Sequence, residues 1–270
     1  MVNSVAEPVF LFSSSWRSGS TLLQRFITAS GEVLVWGETG GALNALAEAL
    51  TGWEQITAHH SKRFPGGTGG MGEEAYRQFI ASPKEQHAHL WIANLTPPFD
   101  EIVNFQRGLL DDLYGKRALE MGYTRWGIKE TRCDLATAQT LRTLYPDARF
   151  VFLVRDPFDV LLSIKRRNWM NHGPGKATLH YFCEHWRNRS AQFRQADFGF
   201  KLRYEDFVAN GALRTQLWDY LGISAPQPED FAANSRVDWE TRDTSELTRL
   251  ERWRIKRWLG GEMAHWGYPL

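Results

Sequence analysis

The sequence predicts an α/β domain built on a central parallel sheet flanked by helices. Short apolar runs alternate with amphipathic stretches, the pattern of successive βαβ units. One run, "FVFLV", is unbroken by any polar residue, as expected of a strand buried on both faces of a parallel sheet. No linker divides the 270 residues, so a single domain over 1–270 is expected.

The elements follow in order. Val9–Ser13 is a short apolar strand, and Thr21–Ser30 places Leu22, Leu23, Phe26 and Ile27 at helical spacing. "VLVWGETG" reads as a second short strand with a turn. Ala42–Trp53 carries Leu43, Leu46, Ala47 and Leu50 on one helical face. The glycine-rich "FPGGTGGMG" follows no strand and reads as a loop. Pro98–Met121 is helical, and a helical and loop insertion around 52–121 is expected to shape one side of a site. "RWGIKE" is a strand, Leu135–Leu144 a helix and "ARFVFLV" the strongest strand. In "RDPFDVLLSIKRR", Asp156 is the expected cap and Pro157 the first helical residue. Helix Thr178–Gln195, strand "FGFKLRY", helix Glu205–Leu221 and a last helix near Glu246–Trp258 complete the chain.

Composition narrows the function. A net charge of +1 provides no global field for nucleic acid or an anionic membrane, so a basic site has to be local. The two cysteines, Cys133 and Cys183, lack metal-ligand spacing, and free thiols suit a reducing compartment. The longest apolar runs are too short to span a bilayer, and the start lacks the pattern of a secretory signal. A soluble, cytoplasmic protein is expected, with no transmembrane segment and no nucleic-acid partner; its oligomeric state is not legible.

Ligands of parallel sheets bind where strands end and helices begin. The first such junction, "SSSWRSGST", combines a glycine, several hydroxyls and an arginine at a helix N-terminus, which suits an anion. Gly19 would let the backbone approach the anion, Ser18, Ser20 and Thr21 would donate hydrogen bonds or cap the helix, and Arg17 would supply charge. This is not a Walker loop: Ser20 stands where the lysine belongs, and the run "FVFLV" is followed by Arg155 rather than a metal-binding aspartate. Protein cations, not a metal ion, are expected to hold the phosphate. A second anion grip is expected from Arg155 at a strand end and Ser163, eight residues further on.

With these residues in view, "SSSWRSGSTLLQRFI" resembles the 5′-phosphosulfate loop of the sulfotransferases that use PAPS (3′-phosphoadenylyl sulfate). "FVFLVRDPFDVLLSIKRR" resembles their 3′-phosphate motif, and "MAHWGYP" resembles the ending of many bacterial members. The chain looks most like the branch with PRSGTT-type loops, which includes the tyrosylprotein sulfotransferases. The resemblance implies a P-loop-kinase-like sulfotransferase fold, PAPS as co-substrate, PAP as product and no required metal. It implies that Arg17, Ser18, Gly19, Ser20 and Thr21 hold the 5′ side, and Arg155 and Ser163 the 3′-phosphate. "WGETG" resembles the branch's GE motif, making Glu38 the base; "GIKET" makes Lys129 a transition-state contact; "LRYEDFV" puts Tyr204 near the nucleotide.

Sulfuryl transfer needs cations on the bridging and sulfuryl oxygens and a base for the acceptor hydroxyl. Arg17 and Lys129 would serve the first need and Glu38 the second. The histidines His59, His60, His87, His89 and His172 are alternative bases. Trp36, Trp91 and Trp169 fall near the expected cleft. The acceptor stays open among a small-molecule phenol, a carbohydrate or lipid-linked glycan, and a peptide hydroxyl. A P-loop-like small-metabolite kinase and a non-catalytic nucleotide-binding protein are the competing readings. The cationic face of the last helix (Arg249, Arg252, Arg254, Lys256, Arg257) reads as solvated charge or an extension of the anion site.

Overall fold

The structure is a computed structural model and describes residues 6–63, 97–167, 169, 178–225 and 246–270. Five strands form one parallel sheet: β1 (Ala6–Ser13), β2 (Val33–Trp36), β3 (Arg125–Glu130), β4 (Arg149–Val154) and β5 (Phe200–Arg203). Their order across the sheet is β2-β3-β1-β4-β5. The four strands expected side by side are neighbours, and "VLVW" adds the fifth at one edge.

Alternation along β1 divides the core. Phe10 and Phe12 face one side and Val9 and Leu11 the other, all fully buried. On the first side lie α2 (Ala42–Arg63), α3 (Phe99–Leu110), α5 (Leu135–Leu144), α6 (Pro157–Arg166), α7 (Leu179–Gln195) and α10 (Arg249–His265), with α4 (Lys116–Glu120) completing the chain between α3 and β3. On the second side lie α1 (Ser20–Ala29), α8 (Tyr204–Ala209) and α9 (Gly211–Leu221). A sheet covered on both faces needs apolar side chains on both, which is why β1 and β4 read as continuous apolar runs. Phe10, Trp126, Tyr145 and Phe150 interlock in the larger core, Phe10 meeting Trp126 edge-on at 5.9 Å.

Several boundaries differ from expectation. Residues 205–221 form two helices, because the Asn210 side chain accepts the Leu213 N–H and starts a new one. The last helix begins at Arg249, where Thr248 and Glu251 form a reciprocal capping box, and runs on to His265. Between α3 and α4 the chain makes a π turn at Asp111–Gly115, beside the Tyr145 hydroxyl. At the sheet edge, α1 leans on β2: the Gln24 amide donates to the Val35 carbonyl (2.9 Å), and the Thr28 hydroxyl accepts the Val35 N–H (3.2 Å). No helix among the described residues is long and apolar enough to cross a membrane.

Candidate active site

Register places the site. Phe12 pairs with Glu130 and Ser13 with Leu153, so the carboxyl ends of β3, β1 and β4 lie abreast. The Arg17 loop, Lys129 and Arg155 therefore ring one crevice, at the same edge of the sheet.

In the loop after β1, serine hydroxyls shape the backbone. Ser13 and Ser18 both donate to the Ser15 carbonyl (3.1 and 2.8 Å), and Ser15 donates to the Trp16 carbonyl. Among the described residues no side chain caps α1; its N-cap is Gly19 at φ 86°, and Arg17 is also left-handed at φ 64°. The expected capping by Ser18, Ser20 or Thr21 does not occur, because Ser18 turns inward and Ser20 and Thr21 lie past the cap. The N–H groups of Leu22 and Leu23 turn back to the Gly19 carbonyl (3.0 and 3.3 Å), and those of Ser20 and Thr21 precede them at the helix start, in a backbone with left-handed residues at 17 and 19 as in an anion nest. Gly19 has a further reason to be glycine: a Cβ there would sit 2.2 Å from the Tyr204 ring carbons Cδ2 and Cε2.

The two anion grips expected separately adjoin. Arg17 Nε donates to Ser163 Oγ at 3.0 Å, and Arg155 Nη1 donates to the Arg17 carbonyl at 3.2 Å. The Arg155 guanidinium lies 4.4 Å from the Tyr204 ring centroid, and that of Arg17 lies 5.4 Å from Trp169. Burial, then the charges of Arg167 and Arg155, push the Arg17 pKa below its ordinary value. The Arg155–Asp159 ion pair is loose, at 3.8 Å. Buried Nε of Arg155 and buried Oγ of Ser14 have no hydrogen-bond partner among the described residues.

The strand end that carries Arg155 is held on both sides. Trp186 Nε1 donates to the Arg155 carbonyl (2.9 Å), while Glu205 accepts the Asp156 N–H and the Tyr268 hydroxyl, each at 3.0 Å. Arg203 donates to the Trp266 and Gly267 carbonyls and lies over the Tyr268 ring. The "HWGYP" segment thus buttresses the strand end that carries Arg155 from behind.

Across the crevice, Lys129 Nζ meets Glu38 Oε1 at 2.5 Å, and the Thr131 hydroxyl donates to Glu38 Oε2 at 3.2 Å. The Lys129 side chain is 8% exposed and that of Glu38 37%, so the carboxylate is the accessible member of the pair. Trp36, just before this turn, donates its indole N–H to the Tyr114 carbonyl. Sequence reasoning missed Glu130, Thr131, Glu205, Tyr268 and His185. His185 stacks against Tyr181 and packs on Trp16 at 5.4 Å. Burial, with the Arg189 charge adding, lowers its pKa to about 4 against an opposing bond to the Thr131 backbone. Of the residues singled out earlier, His87, His89, Trp91, His172 and the loop at 64–72 lie outside the described residues, as do the side chains of His59 and His60.

The sulfotransferase family model matches residues 8–227, which includes both strand–helix junctions that carry Arg17 and Arg155, and the chain belongs to that family. A search of curated proteins found no match. Among solved structures, the sulfotransferase domain from the curacin biosynthetic pathway aligns with a TM-score of 0.51 at 15% identity, over 99% of this chain and 100% of that one. The sulfotransferase from Alicyclobacillus acidocaldarius gives 0.49 at 15% identity, over 98% of each chain. Mouse sulfotransferase SULT7A1 complexed with PAP gives 0.45 at 12%, over 95% and 84%.

Proposed function

We propose that this chain transfers the sulfuryl group of PAPS to a hydroxyl acceptor and releases PAP. The observation that carries this reading is the convergence of Arg17 and Arg155 on an uncapped helix N-terminus at the carboxyl edge of the sheet, with Arg167 near enough to depress the Arg17 pKa. Like charges gathered there, Arg155 facing Asp159 only loosely, are stabilised by a multiply charged anion.

The 5′ side of the nucleotide would lie on the loop Arg17–Thr21, with Ser18 and Gly19 setting its shape and the N–H groups of Ser20 and Thr21 aimed at the phosphosulfate. Arg155 would hold the 3′-phosphate beside Tyr204, and Ser163 would orient Arg17 as well as reach the anion. In the reaction, the acceptor oxygen bonds to sulfur, the bond from sulfur to the phosphate oxygen breaks, and the hydroxyl proton goes to Glu38. Lys129, beside Glu38, would neutralise the sulfuryl oxygens, and Arg17 the charge left on the phosphate. Because these cations do the work assigned to Mg²⁺ in kinases, no metal is required. Residues 52–121 and 168–177 would shape the acceptor pocket, for a small molecule, a carbohydrate or a peptide. The free thiols Cys133 and Cys183 suit a cytoplasmic enzyme.

Thermal shift separates the readings. Stabilisation by PAP and none by ATP–Mg²⁺ is expected; the reverse would favour a small-metabolite kinase. PAPS turnover against an acceptor library, undiminished in EDTA, is expected next. PAP binding without turnover of any acceptor would favour a non-catalytic nucleotide-binding protein.

A further inference from the structure

Successive side chains of a strand point to opposite sides, and the end of β3 uses this to grip the turn after β2. Lys129 and Thr131 reach the two carboxylate oxygens of Glu38. Glu130, between them, points the other way and accepts the next amide of that turn, the Thr39 N–H, on Oε1 at 3.0 Å. Glu130 is completely buried (0% exposed), and its Oε2 faces the Cys133 thiol at 3.9 Å. Burial, with the Glu38 charge adding, raises its pKa, and the Thr39 bond opposes that shift. A buried carboxylate is an expensive acceptor for a single amide. Its position is what distinguishes it: the amide it holds belongs to the peptide unit immediately after Glu38.

We propose that Glu130 is a positioning residue that fixes the Glu38 carboxylate toward the acceptor by clamping the Thr39 amide. This rests on Glu38 acting as the base. With Glu130 in place, the turn is held from both sides of β3 and Glu38 has one orientation relative to Lys129. Without it, the Lys129 and Thr131 contacts remain, but the Thr39 amide loses its hold on β3 and the turn is tied on that side only through the Ala42 and Leu43 N–H groups that Thr39 accepts.

The test compares Glu130→Ala with Glu130→Gln, which keeps a carbonyl acceptor at the same reach. Amide exchange, measured with PAP bound, reads the clamp without needing an acceptor. Exchange at Thr39 should accelerate about ten- to a hundred-fold in Glu130→Ala and return toward the wild-type rate in Glu130→Gln. With PAPS and p-nitrophenol as acceptor probe, kcat should fall about 10- to 100-fold in Glu130→Ala, while PAP affinity and the KM for PAPS hold. In a Glu38→Gln background, Glu130→Ala should cost nothing further in kcat. Unchanged exchange at Thr39, or faster exchange with wild-type kcat, would overturn the proposal. So would an equal kcat loss in both backgrounds. A fully active Glu38→Gln enzyme would overturn the base reading, and this proposal with it, while leaving the exchange result at Thr39 intact.

Discussion

Replacing Gly19 with alanine probes the close approach of the loop after β1 to Tyr204. Its φ of 86° lies in the left-handed region, which costs an alanine about 1–2 kcal/mol. The new Cβ would also meet two Tyr204 ring carbons at 2.2 Å, whereas carbon atoms pack comfortably at about 3.5–4.0 Å. The ring has to withdraw by about 1.5 Å, the difference between those separations. It cannot do so and keep the Arg155 guanidinium at 4.4 Å, a contact worth about 0.5–2 kcal/mol. Strain and lost contact together come to about 2–4 kcal/mol. At roughly 2–4 °C per kcal/mol, Gly19→Ala should melt on the order of 5–15 °C lower. PAP titration by calorimetry should show weaker binding, because Arg155 loses the surface it rests on. In a Tyr204→Ala background only the backbone strain remains, so the same substitution should cost about 1–2 kcal/mol there. Equal costs in the two backgrounds, or wild-type melting and PAP affinity in Gly19→Ala, would refute the steric reasoning.

Glu38→Gln should lower kcat by about 10²–10⁴-fold with PAP affinity nearly constant; a near-wild-type turnover number would transfer the base role to a histidine. Arg155→Ala should weaken PAP binding about ten- to a hundred-fold, as expected for one charge-assisted contact, and unchanged affinity would remove it from the 3′-phosphate. His185 titrates near 4 in the fold against 6.5 as its ordinary value. The unfolded chain therefore takes up that proton first: the contribution of His185 is complete above pH 6.5 and is lost as the pH falls toward 4. It amounts to at most about 3 kcal/mol, and the difference in Tm between wild type and His185→Gln should shift over that window; a pH-independent difference would refute the assignment. Burial pushes the Cys133 thiol up and the Cys183 thiol up to about 12. Both should resist a thiol reagent in the native protein and react on unfolding.

β1 and β4 were legible because they are buried on both faces, so their apolar runs stand out without knowledge of their partners. The start of α6 was legible too, since Asp156 and Pro157 are local signals, and Asp156 does cap the Phe158 N–H. Local signals for the Asn210 break and the Thr248 capping box were also in the chain, but the apolar spacing on either side masked them. Arg17, Arg155 and Ser163, which the structure brings together, could be singled out because each lies in a compact motif that runs from a strand end into the next helix. Glu130, His185, Glu205 and Tyr268 could not, because their roles depend on contacts between residues distant in sequence. Glu130 meets Thr39 across 91 positions and Tyr268 meets Glu205 across 63, and no periodicity within one element announces either.

The bond pair from α1 to Val35 bears on assembly. Among the described residues β2 is an edge strand, and an open edge offers unpaired N–H and C=O groups to a strand from another molecule. Here Gln24 and Thr28 already occupy both backbone groups of Val35. An incoming chain would find neither donor nor acceptor at that residue and could not continue the ladder past it. The helix whose N-terminus opens on the candidate site thus also guards the β2 edge against edge-to-edge aggregation with its flank.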